Sequence, residues 1–289
     1  MKVSIIVSVY NGADILPVTL PPLLNQDYPK EDIEIIIVDD CSADDSVGIL
    51  KSKEYYEYII VITQSENMGR AATRNSGIKV ATGELLILID CDIEIESDFI
   101  SRHVKYHQNN NVVGVVSHLK TQNEKSRDKY HRYIFEGHRG AGIVDSDKPI
   151  PFKYFIQTCT SIKAHAINKT GKYNEKLPTY GIDLEYAYRL SKNFPKGLFY
   201  SNNIDVYMHK VKKLEEALTD FHKHGQFNVP IILKDYPELA VYVAADFVKS
   251  KNDKWTWKFF IGILLINPIF FKIAKWMLNI TPFPLSNLL

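Results

Sequence analysis

The chain has 289 residues, of which 45% are hydrophobic and 24% are charged. That length and composition suffice for the core of one globular domain with an appendage. The formal net charge is only +1, and no basic patch with interleaved aromatic residues occurs in the first two hundred residues. These features argue against a nucleic-acid partner held by bulk electrostatics.

Three cysteines, Cys41, Cys91 and Cys159, are widely spaced along the chain. Their odd number and spacing predict neither a disulfide framework nor a zinc site, and they indicate a reducing compartment. The first residues lead directly into a strand pattern without an apolar leader. We therefore expect a cytoplasmic protein.

Short apolar, β-branched runs at residues 3–9, 33–38, 58–63 and 85–89 alternate with helical or loop stretches. This alternation predicts a parallel, doubly wound sheet, in which ligands bind at the carboxyl ends of the strands. Polar residues collect at three of these ends: Tyr10-Asn11-Gly12, Asp39-Asp40-Cys41-Ser42 and Asp90-Cys91-Asp92. We therefore expect the three strand ends to converge on one crevice.

The pair Asp90 and Asp92 is the most informative of these groups. Residues i and i+2 of an extended segment point to the same side, and two carboxylates held there repel each other unless a cation lies between them. Mg²⁺ and Mn²⁺ prefer carboxylate oxygens and are often shared with substrate phosphates. The pair thus indicates a metal-bound nucleotide diphosphate, although a strand-end turn with two solvated aspartates gives the same short pattern.

A helix is predicted to begin at residues 67–70 and to end near Gly83, which fits a C-cap. Its N-terminal amides, together with Arg70 and Arg74 one turn apart, could face a diphosphate.

These segments occur in an order that resembles a known family. The motifs are Ser4 to Tyr10-Asn11, Gln26 with Pro29, Val38-Asp39-Asp40 with Ser42, Asn67-x-Gly69, Ala72-Thr73-Arg74-Asn75, Gly83-Glu84, Asp90-x-Asp92, Thr170-Gly171-x-Tyr173-Asn174-Glu175, and Gly181-Ile182-Asp183-Leu184-Glu185 with Arg189-Leu190. Over about residues 3–210 the chain resembles the family 2 nucleotide-sugar glycosyltransferases of the GT-A fold. That resemblance implies an α/β fold with a mostly parallel central sheet flanked by helices.

The resemblance also implies a domain organisation. Residues 1–210 are expected to form the catalytic domain, with a nucleotide-sugar half at about 1–120 and an acceptor half at about 121–210. Residues 211–289 are then a C-terminal helical appendage.

Site residues follow from the resemblance by position. It implies that Tyr10 and Asp39 hold the nucleoside of a UDP- or GDP-linked sugar, and that Asp92 binds Mn²⁺ or Mg²⁺ directly while Asp90 is shared with the ribose or a metal water. The remaining residues implied to line the nucleotide-sugar site are Asn11, Asn67, Gly69, Arg74 and Cys91. For Asp40, a helix-capping or packing role is an equal alternative to ligand contact.

Asp183 is the implied general base of an inverting transfer, because a sugar hydroxyl is a poor nucleophile until a carboxylate accepts its proton. The family has Glu where this chain has Ile182, which leaves a neighbouring substrate contact open. Without the resemblance, Asp183 reads as an N-terminal helix residue stabilised by the helix dipole.

His209 follows the apolar stretch 198–208 and precedes a helical run. A histidine at a strand end could complete a metal shell, and a partly buried, hydrogen-bonded histidine is the alternative. His222 and His224 are expected on the surface of the next helix.

In the loop 120–151, the basic residues Lys125, Arg127, Lys129, Arg132 and Arg139 either touch an acceptor phosphate or form a solvated face. The polar segment 158–161 is assigned to the acceptor site.

The C-terminal stretch 249–289 contains six lysines and one aspartate. Trp255, Trp257 and Trp276 bracket the uncharged run 259–271, which is too short to span a bilayer. This pattern predicts a peripheral anchor on the anionic inner face of a membrane, where a lipid-linked glycan acceptor would lie. Burial of the segment against the catalytic domain or a partner is the alternative.

Other functions fit less well. Residues 8–12 are not the Gly-rich turn of an NAD-dependent oxidoreductase. A polyprenyl-phosphate glycosyltransferase would need no base, so Asp183 argues against it. A domain that only binds nucleotide or glycan would not need Asp90, Asp92 and Asp183 together.

Overall fold

A computed structural model describes residues 1–121, 131, 134–135, 140–178 and 181–243. Its strands are β1 (Val3–Val9), β2 (Ile33–Asp39), β3 (Ile60–Thr63), β4 (Leu85–Asp90), β5 (Ile93–Ile95), β6 (Gly114–Thr121), β7 (Cys159–Lys163) and β8 (Leu198–Met208). Its α-helices are α1 (Leu16–Leu24), α2 (Ser46–Leu50), α3 (Gly69–Val80), α4 (Phe99–His107), α5 (Ala164–Thr170), α6 (Ile182–Asn193), α7 (Leu214–Lys223) and α8 (Val229–Asp235).

The strands form one sheet in the order β3-β2-β1-β4-β7-β6-β8-β5. The first four strands are mutually parallel, which confirms the predicted doubly wound half. In the other half β7 runs antiparallel to both of its neighbours, β6 is parallel to β8, and the short β5 pairs antiparallel to β8.

The central strands β1, β2 and β4 are mostly apolar because both faces of the sheet are covered. Ile5 and Ile87 lie in a hydrophobic cluster on one side of the sheet, whereas Ile6 and Leu88 lie in a cluster on the other side. The alternation follows from the two-residue repeat of a strand. Such double burial fixes the register, and therefore fixes where each strand ends.

The sheet joins strands from both halves of the predicted catalytic domain. Within the predicted appendage, Ile232 and Leu239 are buried in the same cluster as Ile6. The buried residues after position 210 thus pack on the domain. The predicted boundary between the two halves at about residue 120, and that of the appendage at residue 210, stay predictions. The stretch 249–289, with its three tryptophans, lies outside the described residues, among which no helix is long and apolar enough to cross a membrane.

Gly83 does not cap α3 as the sequence predicted, because the helix ends at Val80 and its C-cap is Ala81. Gly83 instead lies against β1, where its N–H donates to Ser4 Oγ at 2.8 Å. A Cβ at this position would lie 2.5 Å from Ser4 Oγ and 2.6 Å from Ser4 N. Close approach of two backbones therefore explains this glycine.

Candidate functional site

The ends of β1, β2 and β4 lie side by side, as predicted from the polar residues that follow them. Val9 is opposite Asp39, and Ser8 is opposite Asp90, in the parallel register. The segments that begin at Tyr10, Asp39 and Asp90 therefore share one edge of the sheet.

At the β1 and β2 ends, the side chains predicted to hold the nucleoside also build the loops. Asp39 is fully buried and accepts hydrogen bonds from the backbone N–H (3.1 Å) and the hydroxyl of Ser42. Asn11 adopts a left-handed backbone (φ 51°), and its Oδ1 accepts the N–H of Ala43 at 2.8 Å. Tyr10 is 51% exposed at the rim, so its ring is accessible to a base.

Asp40 caps α3 from the neighbouring loop, which bears out the capping interpretation of this residue. Its carboxylate accepts the N–H groups of Met68 (2.8 Å) and Gly69 (3.0 Å). These two amides are therefore bound by Asp40 in this structure, and the predicted diphosphate contact of the helix N-terminus stays a prediction for the amides that follow. Gly69 has φ +82°, a conformation that favours glycine. Asn67 is exposed in the loop just before it.

The aspartates that follow β4 have different surroundings. Asp90 accepts hydrogen bonds from Arg70 Nη1 (3.2 Å) and Arg74 Nη2 (3.4 Å). Among the described residues no side chain donates to the carboxylate of Asp92. Burial, and then the charge of Asp90, raise the pKa of Asp92 to about 6. A carboxylate with this environment is suited to a cation.

Cys91 supports the motif through its backbone. Its N–H donates to the Ser8 carbonyl at 3.2 Å, and its carbonyl accepts the Thr19 hydroxyl at 2.9 Å. Burial, followed by the two adjacent aspartates, raises the pKa of its thiol to about 12. The thiol is therefore protonated at neutral pH and is a poor metal ligand.

His209 lies beside the aspartate motif, at the end of β8. Its backbone N–H donates to the Asp92 carbonyl at 2.9 Å, and its ring Nε2 is 2.6 Å from Glu94 Oε2. The partly buried, hydrogen-bonded alternative for His209 is therefore observed, and its role as a metal ligand stays a prediction. No group of three or more His, Cys, Asp or Glu side chains that could hold a metal occurs in the part of the chain that the structure describes. The carboxylates of Asp90 and Asp92 are oxygen donors of the type that Mn²⁺ and Mg²⁺ prefer.

Arg74 connects the aspartate motif to Asp183. Its side chain is 3% exposed, and Nη1 lies 2.7 Å from Asp183 Oδ1 while Nη2 contacts Asp90. Nη2 also donates to the Gln157 carbonyl at 2.6 Å. Burial alone would lower the pKa of Arg74, but the carboxylates keep that pKa above its usual value. Arg70, the other arginine expected to face a diphosphate, has a side chain that is 44% exposed. Arg70 is therefore accessible to a ligand, whereas Arg74 is buried.

Asp183 lies in the first turn of α6, which begins after Gly181. Gly181 is left-handed (φ +95°), and a Cβ there would lie 2.5 Å from His224 Nδ1. His224 is therefore partly buried against this turn and is not a surface residue as predicted, whereas His222 is exposed. Ile182 is 3% exposed in the core, which explains why an apolar residue stands where the family has Glu.

Three residues that the sequence analysis did not place in the site support it: Glu94, Gln157 and Tyr173. The Tyr173 hydroxyl donates to Gln157 Oε1, and Gln157 Nε2 donates to the Asp183 carbonyl at 3.4 Å. Asn75 binds the backbone of Tyr173 in both directions, at 2.9 and 3.0 Å. Gln157 is fully buried. The only sequence signal for it was a polar residue that follows a stretch rich in aromatic residues.

A cavity of about 220 Å³ opens beside the motif. Its walls include Arg70, Asp90, Asp92, Gly140, Ala141, Thr158, Cys159, Met208 and Lys210. Of the segment 158–161, the first two residues thus reach the cavity, while Thr160 and Ser161 are buried in β7. The basic residues predicted near the acceptor, Lys125, Arg127, Lys129, Arg132 and Arg139, lie outside the described residues.

The chain is similar to known glycosyltransferases in sequence. A 112-residue segment is 43% identical to poly(ribitol-phosphate) beta-glucosyltransferase of Bacillus spizizenii and covers 38% of this chain and 18% of that protein. A 243-residue segment is 35% identical to an uncharacterized glycosyltransferase of Nostoc, over 79% of this chain and 66% of the relative. The matched regions therefore span less than two thirds of either relative.

Solved structures share the fold. TarS of S. aureus in complex with UDP-GlcNAc superposes with a TM-score of 0.64 at 18% identity, over 96% of this chain and 79% of that one. A mannosyltransferase of Pyrobaculum calidifontis, in complex with GDP-Man and Mn²⁺, gives a TM-score of 0.61 at 15% identity, over 95% and 83% of the two chains. The model of "Glycosyl transferase family 2" matches residues 4–171. The chain therefore has the fold of the GT-A glycosyltransferases, and it belongs to glycosyl transferase family 2.

Proposed function

We propose that the protein is an inverting, metal-dependent glycosyltransferase that moves a sugar from a UDP- or GDP-linked donor to a hydroxyl of a glycan acceptor. The observation that carries this proposal is the buried Arg74, which joins Asp90 of the aspartate motif to Asp183. A non-catalytic binding domain would have no need to hold a third carboxylate 2.7 Å from that arginine.

The donor is proposed to lie along the edge formed by the ends of β1, β2 and β4. The exposed ring of Tyr10 lies at its nucleoside end, together with Asp39. At the other end, Arg70 and the aspartate motif face the diphosphate. Mn²⁺ or Mg²⁺ bound by Asp90 and Asp92, with His209 as a further ligand, would neutralise the charge that develops on the departing diphosphate.

Asp183 is the proposed general base. Its side chain is 22% exposed, so a substrate hydroxyl can reach it, and Arg74 keeps the carboxylate in place. In a single displacement the acceptor oxygen attacks the anomeric carbon, Asp183 accepts the hydroxyl proton, and the bond to the nucleoside diphosphate breaks. Attack from the face opposite the leaving group inverts the anomeric centre.

The acceptor is proposed to be a glycan, either free or linked to a lipid. Relatives are named for transfer to poly(ribitol-phosphate), which is a precedent for a polyol-containing polymer. The lysine- and tryptophan-rich stretch 249–289 supports an encounter at the anionic cytoplasmic face of a membrane. A polyprenyl phosphate is the second candidate acceptor, and it would make Asp183 dispensable.

The experiment compares Asp92→Asn and Asp183→Asn with the wild-type protein. Calorimetry with UDP and GDP, with and without Mn²⁺, should show metal-dependent binding that Asp92→Asn greatly weakens. Asp183→Asn should bind the donor within a few-fold of wild type, while its transfer rate falls by about 10² to 10⁴.

Two results would contradict the proposal. Equal nucleotide affinity in Asp92→Asn would mean that the motif is structural. Near-normal turnover in Asp183→Asn would remove the base and favour a phosphate acceptor.

A further inference from the structure

Arg74 lies against the ring of Tyr173, a buried tyrosine outside the aspartate motif. Its guanidinium carbon is 5.4 Å from the centroid of that ring, within the range of a cation–π contact. The next residue of α3, Asn75, accepts the N–H of Tyr173 at 2.9 Å and donates to its carbonyl at 3.0 Å. Two consecutive residues of α3 therefore bind Asp183 and Tyr173, and they hold the segments that carry them close together.

The hydroxyl of Tyr173 orients a buried amide. It donates to Gln157 Oε1, and Gln157 is fully buried. A primary amide has one accepting end and one donating end. Because the oxygen of Gln157 faces the hydroxyl, its Nε2 is available to donate to the Asp183 carbonyl at 3.4 Å. The backbone carbonyl of Gln157 in turn accepts Arg74 Nη2 at 2.6 Å.

Tyr173 also contacts the helix that carries Asp183. Its ring is stacked on the ring of Tyr186, with centroids 4.0 Å apart and an interplanar angle of 16°. Tyr186 lies in α6 three residues after Asp183, so the two residues are neighbours on the helix surface. One tyrosine thus packs on the helix of the proposed base and on the arginine that binds its carboxylate.

We propose that Tyr173 is a positioning residue for Asp183, which fixes the carboxylate by holding Arg74 against its ring and Gln157 at its hydroxyl. The inference rests on the proposed function, in which Asp183 accepts the proton of the acceptor hydroxyl. The Asp183 side chain is 22% exposed, so it has room to change rotamer unless its buried partner holds it. A displacement of about 1 Å at a reacting group can cost about 100-fold in rate.

The stacked neighbour of Tyr173 provides a matched control. The hydroxyl of Tyr186 is buried and has no hydrogen-bond partner among the residues that the structure describes. Tyr173→Phe and Tyr186→Phe therefore remove the same group from the same stack and leave both rings in place. Of the two substitutions, Tyr173→Phe is the one that removes the hydrogen bond to Gln157.

The test measures the release of UDP or GDP by the full-length protein in the presence of Mn²⁺. The donors are UDP-glucose, UDP-GlcNAc and GDP-mannose, and the acceptor is poly(ribitol-phosphate) or water. We expect Tyr173→Phe to lower kcat by about 10- to 100-fold and to leave the KM for the donor within about threefold of wild type. Tyr186→Phe should change kcat by less than about twofold, because no described group binds its hydroxyl.

Two further variants distinguish positioning of the base from a general effect on the fold. In an Asp183→Asn background, Tyr173→Phe should not lower kcat further, because its contribution passes through the base. Gln157→Leu removes the acceptor of the Tyr173 hydroxyl and should lower kcat at least as much as Tyr173→Phe does. The double variant should then equal Gln157→Leu alone. Thermal unfolding of each variant checks that the fold is retained.

The outcomes separate this inference from the proposed function. If the wild type consumes a donor and Tyr173→Phe has a normal kcat, the role of Tyr173 is overturned while the glycosyltransferase proposal stands. The same holds if Tyr186→Phe is equally impaired, or if Tyr173→Phe still lowers kcat in the Asp183→Asn background. If the wild type consumes none of the donors, or if Asp183→Asn has near-normal turnover, the proposed function fails and the inference fails with it.

Discussion

Asp40 and Asp92 follow two parallel strands at the same edge of the sheet, yet their environments are opposite. Asp40 is buried, and both of its carboxylate oxygens accept backbone N–H groups at the start of α3. Asp92 is also largely withdrawn from water, but no described side chain donates to it, and its pKa is raised to about 6. The carboxylate of Asp40 therefore stabilises a loop, whereas that of Asp92, which no described side chain donates to, is suited to a ligand.

The largest expected effect on the free energy of unfolding comes from two buried histidines, His103 and His107. Both are hydrogen-bonded, and the fold keeps both uncharged. His103 Nδ1 and His107 Nε2 both lie 2.8 Å from Ser161 Oγ, and burial lowers the pKa of His107 to about 3 and that of His103 well below its usual value. Unfolded histidines bind protons below about pH 6.5, while the folded ones do not. Stability should therefore fall as the pH decreases from 6.5, by about 2 kcal/mol per histidine at pH 5.

Urea unfolding of the ligand-free protein at pH 7 and pH 5 measures this loss. In His107→Asn the difference between the two pH values should shrink by the share of one histidine. His222→Asn, at an exposed position, is the control and should leave the difference unchanged. An unaltered pH dependence in His107→Asn would mean that this ring is not kept neutral by the fold.

The next largest effect on the free energy of unfolding is expected for a substitution of Asp40. Asp40→Ala leaves the N–H groups of Met68 and Gly69 without their acceptor, and hydrogen bonds to a charged group contribute about 1.5–3 kcal/mol. We expect a loss of roughly 3 kcal/mol in the free energy of unfolding, measured with urea at pH 7. Asp14→Ala, which removes an exposed ion pair with Lys210, should cost less than about 1 kcal/mol. Equal costs for the two variants would mean that the N–H groups of Met68 and Gly69 do not depend on Asp40 for stability.

The smallest expected effect on the free energy of unfolding is an increase, and it comes from a substitution of Asp92. In the absence of metal, Asp92→Asn should stabilise the protein by about 1–2 kcal/mol at pH 7, because it removes a poorly solvated charge to which no described side chain donates. The folded pKa is above the unfolded value of about 3.9, so the cost of the charge builds up as the pH rises through this window. The advantage of Asp92→Asn should thus shrink at pH 5. Saturating Mn²⁺ with UDP should reverse the order by stabilising the wild type alone.

Features that depend on local order along the chain were predictable. The strands 3–9, 33–38 and 85–89 and the polar residues after them follow from apolar runs, and their convergence follows from the rules of parallel sheets. Partners that are distant in sequence were not predictable. Nothing near Arg74 indicates a contact with Asp183, 109 residues later, or that Glu94 pairs with a histidine 115 residues away. Gly83 was misread because a helix C-cap and a close backbone approach favour the same residue.

The position of Arg74 has a consequence for the local unfolding of α6. Its guanidinium joins α3, the end of β4 and the first turn of α6. If α6 separated locally, the buried cation would lose its shortest ion pair, which is costly in a poorly solvated site. We therefore expect α6 to unfold in the same cooperative unit as the central sheet, with amide hydrogen exchange in α6 as slow as in β4.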